Sequence, residues 1–215
     1  MFKKKIGKFL KSCVKIILSA AFLFWACLAE AQVDLKAYKE DISKIENYLN
    51  SIKTFSANFT QISENNITKG LFFLSRNSDS AGKMRIEYQN EPKILVIVNG
   101  SILSYVDIEL NEVSRLSTNT TPASLLTRPN ISFSAKDIEI TNIKKEGNEI
   151  KVSLMKKNRK EAGEFILVFN LNPVEFKKME VRNDLNQTIS VTLSDIKLGS
   201  KLSNELFIVK DNNLN

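Results

Sequence analysis

Residues 83–107 decide the fold and read KMRIEYQNEPKILVIVNGSILSYVD. They contain three predicted strands. In the first part of this stretch Met84, Ile86 and Tyr88 alternate with charged residues. That period of two predicts a strand with one face against apolar neighbours and the other in water. The stretch therefore indicates an antiparallel sheet with one apolar face, and the function depends on what that face contacts.

The second part of the stretch predicts a hairpin. Residues 94–98 are apolar without alternation, as in a strand that is buried on both faces. Asn99-Gly100 follows, a pair typical of two-residue hairpin turns in which both central residues have positive φ. Residues 101–107 then return as the partner strand.

The first 31 residues have the features of a cleaved secretory signal peptide. Six lysines precede a nearly uninterrupted apolar run at 16–28, and Ala29-Glu30-Ala31 is a small-x-small cleavage site. The run is too short to span a membrane comfortably. We therefore expect export to the periplasm, with residues 32–215 forming a single domain that is long enough to bury its own core.

Removal of this segment changes the net charge and the cysteine content of the chain, and these two features bear on its functional class. The segment contains six of the 31 basic residues and one of the 24 acidic residues, so the net charge falls from +7 to +2. That charge gives no support for nucleic-acid binding. Cys13 and Cys27 also lie in the segment, and the chain has no histidine. We therefore expect no catalytic residue, no metal site and no cofactor.

The rest of the chain predicts one long helix and a series of strands. Asp34 begins a helix that runs to about Lys53, with apolar residues at every third or fourth position. Thr121 and Pro122 begin a second, short helix. Outside the central stretch, strands are predicted at 54–63, 70–76, 112–117, 137–145, 149–155, 163–169, 176–181, 188–196 and 206–209.

The aromatic residues of these strands leave two possibilities open. They form a filled core between the sheet and the helix, or the sheet curves and leaves a cavity for an apolar ligand. The periodicity of the sequence does not decide between them.

Six segments of the chain are similar, in sequence and in order, to one known family. They are YLNSIKTFSANFTQ at 48–61, the strand ending in Arg76, MRIEY with its following proline at 84–92, the Asn-Gly hairpin with YVD at 105–107, TPASLL at 121–126 and ELF at 205–207. The family that they resemble is that of the periplasmic outer-membrane lipoprotein carriers, LolA. The resemblance implies a mainly β (α+β) fold, an incomplete, curved antiparallel β-barrel of about 10–11 strands. A long N-terminal helix and a short lid helix would cover it.

The resemblance also implies a function. The carrier would bind the acyl chains of lipoproteins in a hydrophobic cavity and move them from the inner to the outer membrane. Such a carrier is needed because each methylene exposed to water costs about 0.8 kcal/mol. The implied partners are acylated lipoproteins, an inner-membrane lipoprotein-releasing ABC transporter and an outer-membrane lipoprotein receptor, with the carrier itself a monomer.

Carried over residue by residue, the resemblance implies a cavity and a latch. Arg76 would hold the lid closed by hydrogen bonds to lid backbone carbonyls, a task that suits a guanidinium with several donors. The chain departs from the family where Asn77 replaces the usual proline and where Ala123 and Ser124 replace larger lid residues. The expected lining of the cavity is Leu49, Ile52, Met84, Ile86, Tyr88, Leu125, Leu126, Phe165 and Phe169.

Two alternative functions remain open. A cysteine late in the apolar run of a signal segment is the acylation site of a bacterial lipoprotein, although Trp25 fits that processing poorly. Acylation of Cys27 would indicate an outer-membrane lipoprotein receptor of the same fold. The other alternative is a periplasmic lipid-binding sensor domain.

Overall fold

The structure, a computed structural model, describes residues 34–209 except residues 65, 78, 122, 159 and 184. The predicted signal peptide and Cys27 lie outside the described residues. In the described part, helix α1 spans Lys39–Ser51 and a four-residue helix, α2, spans Ala123–Leu126. The strands are β1 Thr54–Ser63, β2 Asn66–Ser75, β3 Lys83–Tyr88, β4 Ile94–Asn99, β5 Ile102–Asp107, β6 Glu112–Ser117, β7 Ile138–Glu146, β8 Glu149–Lys156, β9 Glu164–Leu171, β10 Val174–Arg182 and β11 Thr188–Leu198.

The strands form one open, curved antiparallel sheet, as the sequence predicts. Their order is β6-β5-β4-β3-β2-β1-β11-β10-β9-β8-β7, so β6 and β7 are the two edges. The barrel is incomplete because these edges do not pair with each other. Residues 118–137, which we call the lid segment, join the two edges and contain α2.

Residues that pair across neighbouring strands form apolar rows on the inner face of the sheet. Phe72 of β2 pairs with Ala57 of β1 on one side and with Ile86 of β3 on the other. Helix α1 lies on this face against β9 and β10, where Tyr48 meets Phe169 edge-on at 6.4 Å between ring centroids. Burial of this face by the helix makes the main core.

Strand β4 is buried on both faces, as predicted from its unbroken apolar run. Val98 and Met84 are paired and buried on the inner face. Leu95 and Ile97 point the other way and form a second, smaller core with Val106, against which Val209 packs. The outer core is thus covered by the C-terminal residues of the described chain.

The C-terminal segment is not the strand predicted at 206–209. Residues Asn204–Phe207 form a 3-10 helix that crosses the outer face. Arg85 Nη1 donates to the Leu206 carbonyl at 3.1 Å, and Asn99 Nδ2 donates to the Phe207 carbonyl at 3.3 Å. The strand prediction was wrong because β11 is already paired on both sides, so the chain leaving it meets a sheet face and not an edge.

Of the predicted boundaries that differ from the structure, three have a clear structural reason. Helix α1 begins at Lys39, and its N-cap residue is Tyr38 in place of Asp34, because Leu35 is 48% exposed and finds no core to pack on. Strand β2 begins at Asn66, four residues before the predicted start, because backbone pairing with β1 continues beyond the apolar residues. Asn99 ends β4, so the hairpin turn has Gly100, with φ of 62°, at its first central position.

Candidate functional site

An apolar cavity of about 250 Å³ lies on the inner face of the sheet, beside the part that α1 covers. Its walls come from the middle strands β1, β2, β3, β9, β10 and β11, and its roof comes from the lid segment. The lining residues are Phe59, Gln61, Phe72, Met84, Ile86, Tyr88, Thr121, Leu126, Phe165, Met179, Val181, Ile189 and Val191.

One wall of the cavity depends on a glycine. Gly70 pairs with both Phe59 and Tyr88, and the two rings meet edge-on at 5.3 Å between centroids. A Cβ at Gly70 would lie 2.6 Å from the Phe59 ring and would collide with the Glu87 carbonyl oxygen. The absence of a side chain at this position therefore leaves the space that the Phe59 ring occupies.

The two polar side chains of this wall, Gln61 and Tyr88, are hydrogen-bonded to each other. The Tyr88 hydroxyl donates to Gln61 Oε1 at 2.8 Å. Burial raises the pKa of this hydroxyl, so it stays protonated and keeps the hydrogen bond. The wall consequently offers an apolar ligand a surface on which no hydrogen bond has to be broken.

The two leucines of α2 point into different spaces. Leu126 lines the cavity and also packs against the core beneath α1. Leu125 lies on the far side of Phe165, in a space of about 20 Å³ with Ile138 and Leu154. The Phe165 ring therefore separates the cavity from this smaller space.

The part of the lid segment after α2 is held by hydrogen bonds with α1 and with Gly82. Asn50 binds both backbone groups of Ile131, each at 2.8 Å. Glu46 Oε1 accepts from the Phe133 backbone N–H at 2.6 Å. The Gly82 N–H donates to the Thr127 carbonyl at 2.6 Å. These bonds fix the segment after α2 and leave α2 itself to close the cavity by apolar contact.

Arg76 connects the end of α1 to Arg128, two residues after the end of α2. Its Nη2 donates to the carbonyl oxygens of Leu49 and, at 3.1 Å, Ile52, while Nη1 donates to the Arg128 carbonyl at 3.5 Å. The residue is 7% exposed, and burial lowers the pKa of the guanidinium. Two of its three acceptors thus belong to the last turn of α1 and its cap, whereas we expected all of them in the lid.

The structure brings five of the nine expected cavity residues together around the cavity: Met84, Ile86, Tyr88, Leu126 and Phe165. The other four lie outside it. Leu49 and Ile52 are packed under α1, where the remaining space is about 10 Å³. Phe169 is enclosed between Tyr48 and Phe176, and Leu125 lies behind Phe165.

Sequence reasoning missed the whole wall from β10 and β11, which consists of Met179, Val181, Ile189 and Val191. Ile189 and Val191 do follow the period-two alternation of an inner face, which is the pattern that could have identified them. The register across four strands, which sets their distance from Tyr88, is not visible in any single segment.

The described residues contain no cluster of three or more His, Cys, Asp or Glu side chains that could bind a metal ion. A search of the same residues for a helix with the length and hydrophobicity to span a membrane finds none. The site is an apolar cavity that the lid segment covers through Thr121 and Leu126.

An open β-barrel with a roofed internal apolar cavity defines a lipid-binding, carrier-type protein. The family model for the outer membrane lipoprotein carrier protein LolA matches residues 50–210, and the chain belongs to this family. A sequence relative is the uncharacterized protein RP864 of Rickettsia prowazekii (strain Madrid E). It is 25% identical over 193 residues, which are 88% of this chain and 87% of the relative.

Two solved structures align with most of this chain. A putative outer membrane lipoprotein-sorting protein domain from Vibrio parahaemolyticus aligns with 81% of this chain and 97% of its own, at a TM-score of 0.50 and 10% identity. The LolA superfamily protein NE2245 from Nitrosomonas europaea aligns with 81% of this chain and 98% of its own, at a TM-score of 0.45 and 14% identity.

Proposed function

We propose that this protein is a periplasmic carrier that takes the acyl chains of lipoproteins into the cavity and transfers them from the inner to the outer membrane. The observation that carries the proposal is the cavity itself. About 250 Å³ of apolar space remains inside a chain whose neighbouring core is filled to within about 10 Å³. Proteins fill their interiors closely, so a retained apolar space favours a ligand.

The chemistry of the lining supports an acyl chain as the ligand. The strand side chains around the cavity are aliphatic or aromatic, and the Gln61–Tyr88 pair is already hydrogen-bonded. Each methylene transferred from water into such a site gains about 0.8 kcal/mol. A ligand with several acyl chains needs more space than the cavity offers, so we expect α2 to move outward on loading.

Arg76 suits a role in that movement. Its guanidinium joins the end of α1 to Arg128, at the point where the chain leaves α2. We infer that this latch sets the balance between a closed lid and an open one, and so the ease of ligand release.

The partners that follow from this function are an inner-membrane lipoprotein-releasing ABC transporter as donor and an outer-membrane lipoprotein receptor as acceptor. The alternatives are that the chain is itself such a receptor, acylated at Cys27, or a periplasmic lipid-binding sensor. The carrier is favoured because the model that matches residues 50–210 is that of the lipoprotein carrier family.

The proposal is tested by lipoprotein release from spheroplasts, with a variant that fills the cavity. Val191→Trp places an indole in the cavity wall, whereas Thr192→Trp places the same group on the exposed outer face of the same strand. The wild-type protein and Thr192→Trp should both yield a soluble complex with acylated lipoproteins, and Val191→Trp should not. Release by Val191→Trp at the wild-type level would overturn the proposal.

A further inference from the structure

A second depression, which we call the rim groove, opens directly from the cavity. It has a volume of about 370 Å³ and shares Val181 and Ile189 with the cavity lining. Ile189 is 42% exposed, so the junction between the two spaces is open to solvent. A ligand bound in the cavity therefore reaches solvent through the rim groove.

The register of the sheet explains why the lining changes at this junction. One row of inner-face residues crosses four strands, from Asn66 to Ser63, Ile189 and Val181. It is apolar on β10 and β11 and polar on β1 and β2. The cavity takes the apolar end of an amphipathic ligand, and the rim groove is suited to its polar end.

Hydrogen bonds between the two hairpin turns hold the rim groove in shape. Gln187 Nε2 donates to Glu64 Oε1 at 2.8 Å and so joins the β10–β11 turn to the β1–β2 turn. Asn183 Oδ1 accepts from the backbone N–H groups of Leu185 and Gln187, at 3.0 and 2.9 Å. These bonds constrain Glu64, Asn183, Leu185 and Gln187 before a ligand binds, which reduces the entropy lost on binding.

The charge of the rim groove distinguishes two classes of amphipathic ligand. Among the described residues that line it, Glu64 is charged and negative, and none is Lys or Arg. The neighbouring Arg182 points to the outer face, where its Nη1 binds Glu164 Oε2 at 3.0 Å. An anionic phosphate would meet the Glu64 carboxylate without a cation to offset the repulsion, whereas peptide N–H groups and an N-terminal amine would be attracted.

We propose that the rim groove binds the peptide next to the acylated residue of the ligand and selects acylated peptides over phospholipids. This inference rests on the proposed function and adds a discrimination that the cavity does not provide, since both ligand classes carry the same acyl chains. The selectivity comes from one carboxylate placed where the polar end of the ligand leaves the cavity.

The test compares two probes with identical acyl chains. One is a Cys-Ser-Asn-Ala-Gly peptide amide with an S-linked dipalmitoylglyceryl group, and the other is dipalmitoyl phosphatidylglycerol. Each is titrated against the full-length protein containing bound 1-N-phenylnaphthylamine, a neutral apolar fluorophore, and its displacement is measured. We expect the lipopeptide to displace the fluorophore at a concentration about tenfold lower than the phospholipid.

Substitutions at Glu64 test whether its carboxylate causes the preference for the lipopeptide. Glu64→Lys should reduce the preference about tenfold, and Glu64→Gln, which retains an acceptor for Gln187, should reduce it partly. Residue 64 has a φ of 47°, which is about equally unfavourable for Glu, Lys and Gln. The two substitutions therefore add no difference in backbone strain. Glu112→Lys, at an exposed residue on edge strand β6, makes the same change in net charge and should leave the preference intact.

The outcomes separate this inference from the function on which it rests. Equal displacement by both probes in the wild-type protein, or an equal loss of preference in Glu64→Lys and Glu112→Lys, would overturn the role of the rim groove. If neither probe displaces the fluorophore, or if both act equally on Val191→Trp and on the wild-type protein, binding in the cavity fails and the proposed function fails with it.

Discussion

The inner face of the sheet has two apolar regions that differ in what covers them. Under α1, the packed region contains Phe169, Phe176 and Ile150, which are 0–3% exposed. Beside it, the cavity region contains Ile86, Val191 and Ile189, and Ile189 is 42% exposed. The strands of both regions present apolar residues to the inner face, so an apolar inner face does not by itself create the difference.

The difference comes from the length and position of α1. The helix has 13 residues, or about 20 Å at 1.5 Å per residue, and it covers β9 and β10 near one end of the sheet. The remaining inner face is covered by α2, a helix of four residues. A roof this short cannot fill the space below it, and so the same kind of surface is core in one region and a ligand site in the other.

The sharpest test of this comparison substitutes one isoleucine in each region. Ile150→Ala, in the packed region, should lower the free energy of unfolding by about 3 kcal/mol, because it leaves a void where no side chain can move in. Ile189→Ala, at the mouth of the cavity, should cost below about 1 kcal/mol. Chemical denaturation of both variants measures the difference, and equal losses would show that the two regions are packed alike.

Gly70→Ala should distort the cavity wall and lower the free energy of unfolding. The new Cβ collides with the Glu87 carbonyl and pushes the Phe59 ring into the cavity, so we expect a loss of about 2–3 kcal/mol. Binding of a neutral apolar fluorophore should fall with it. Gly100→Ala, at a turn where a Cβ would meet no atom within 4 Å, is the control for binding: its φ of 62° should cost about 1 kcal/mol of stability, but fluorophore binding should stay intact. Unchanged fluorophore binding by Gly70→Ala would show that this wall does not contact the bound ligand.

Arg76→Leu tests the connection between the two regions. Loss of the guanidinium leaves the carbonyl groups at the end of α1 buried without these donors, which should cost about 2 kcal/mol. We expect lipoprotein uptake to survive and handover to an acceptor membrane to fail, because the lid equilibrium shifts. Arg128→Leu is a control, since its side chain pairs with Asp137 and its carbonyl remains available to Arg76. Wild-type handover rates in Arg76→Leu would exclude the latch role.

The smallest expected effect is a pH dependence at Tyr88. Because burial raises the pKa of this hydroxyl in the folded state, its contribution to stability is complete below about pH 10. That contribution is lost as the pH rises through the folded-state pKa. The difference between ultraviolet absorbance titrations of the wild-type protein and Tyr88→Phe should show a hydroxyl that ionises late. A difference curve with the midpoint of an exposed tyrosine would place Tyr88 outside a buried wall.

The sequence predicted the sheet well because alternation is a local property. β1, β3 and β6 have the predicted boundaries, and β4 is buried on both faces as its unbroken apolar run indicates. The 3-10 helix at the C-terminus was missed because its path depends on which sheet edges are already paired. That information is absent from the segment ELF itself.

The candidate site could be predicted only in part. Met84, Ile86 and Tyr88 share a strand with a clear inner face, and all three line the cavity. Leu49 and Phe169 have the same apolar character, but α1 fills the space around them. Whether an inward apolar residue meets a helix or a cavity depends on how far the helix extends over the sheet, which is a property of the assembled fold.

The central claim is that an acyl chain enters the cavity region and not the packed region or the outer face. Photo-crosslinking tests it most directly, with a dipalmitoylglyceryl peptide that bears a diazirine in one acyl chain and with adducts mapped by mass spectrometry. We predict adducts on cavity residues such as Met179, Val181 and Ile189. Adducts confined to the outer core around Ile97 and Val106, or an adduct pattern unchanged in Val191→Trp, would contradict the account.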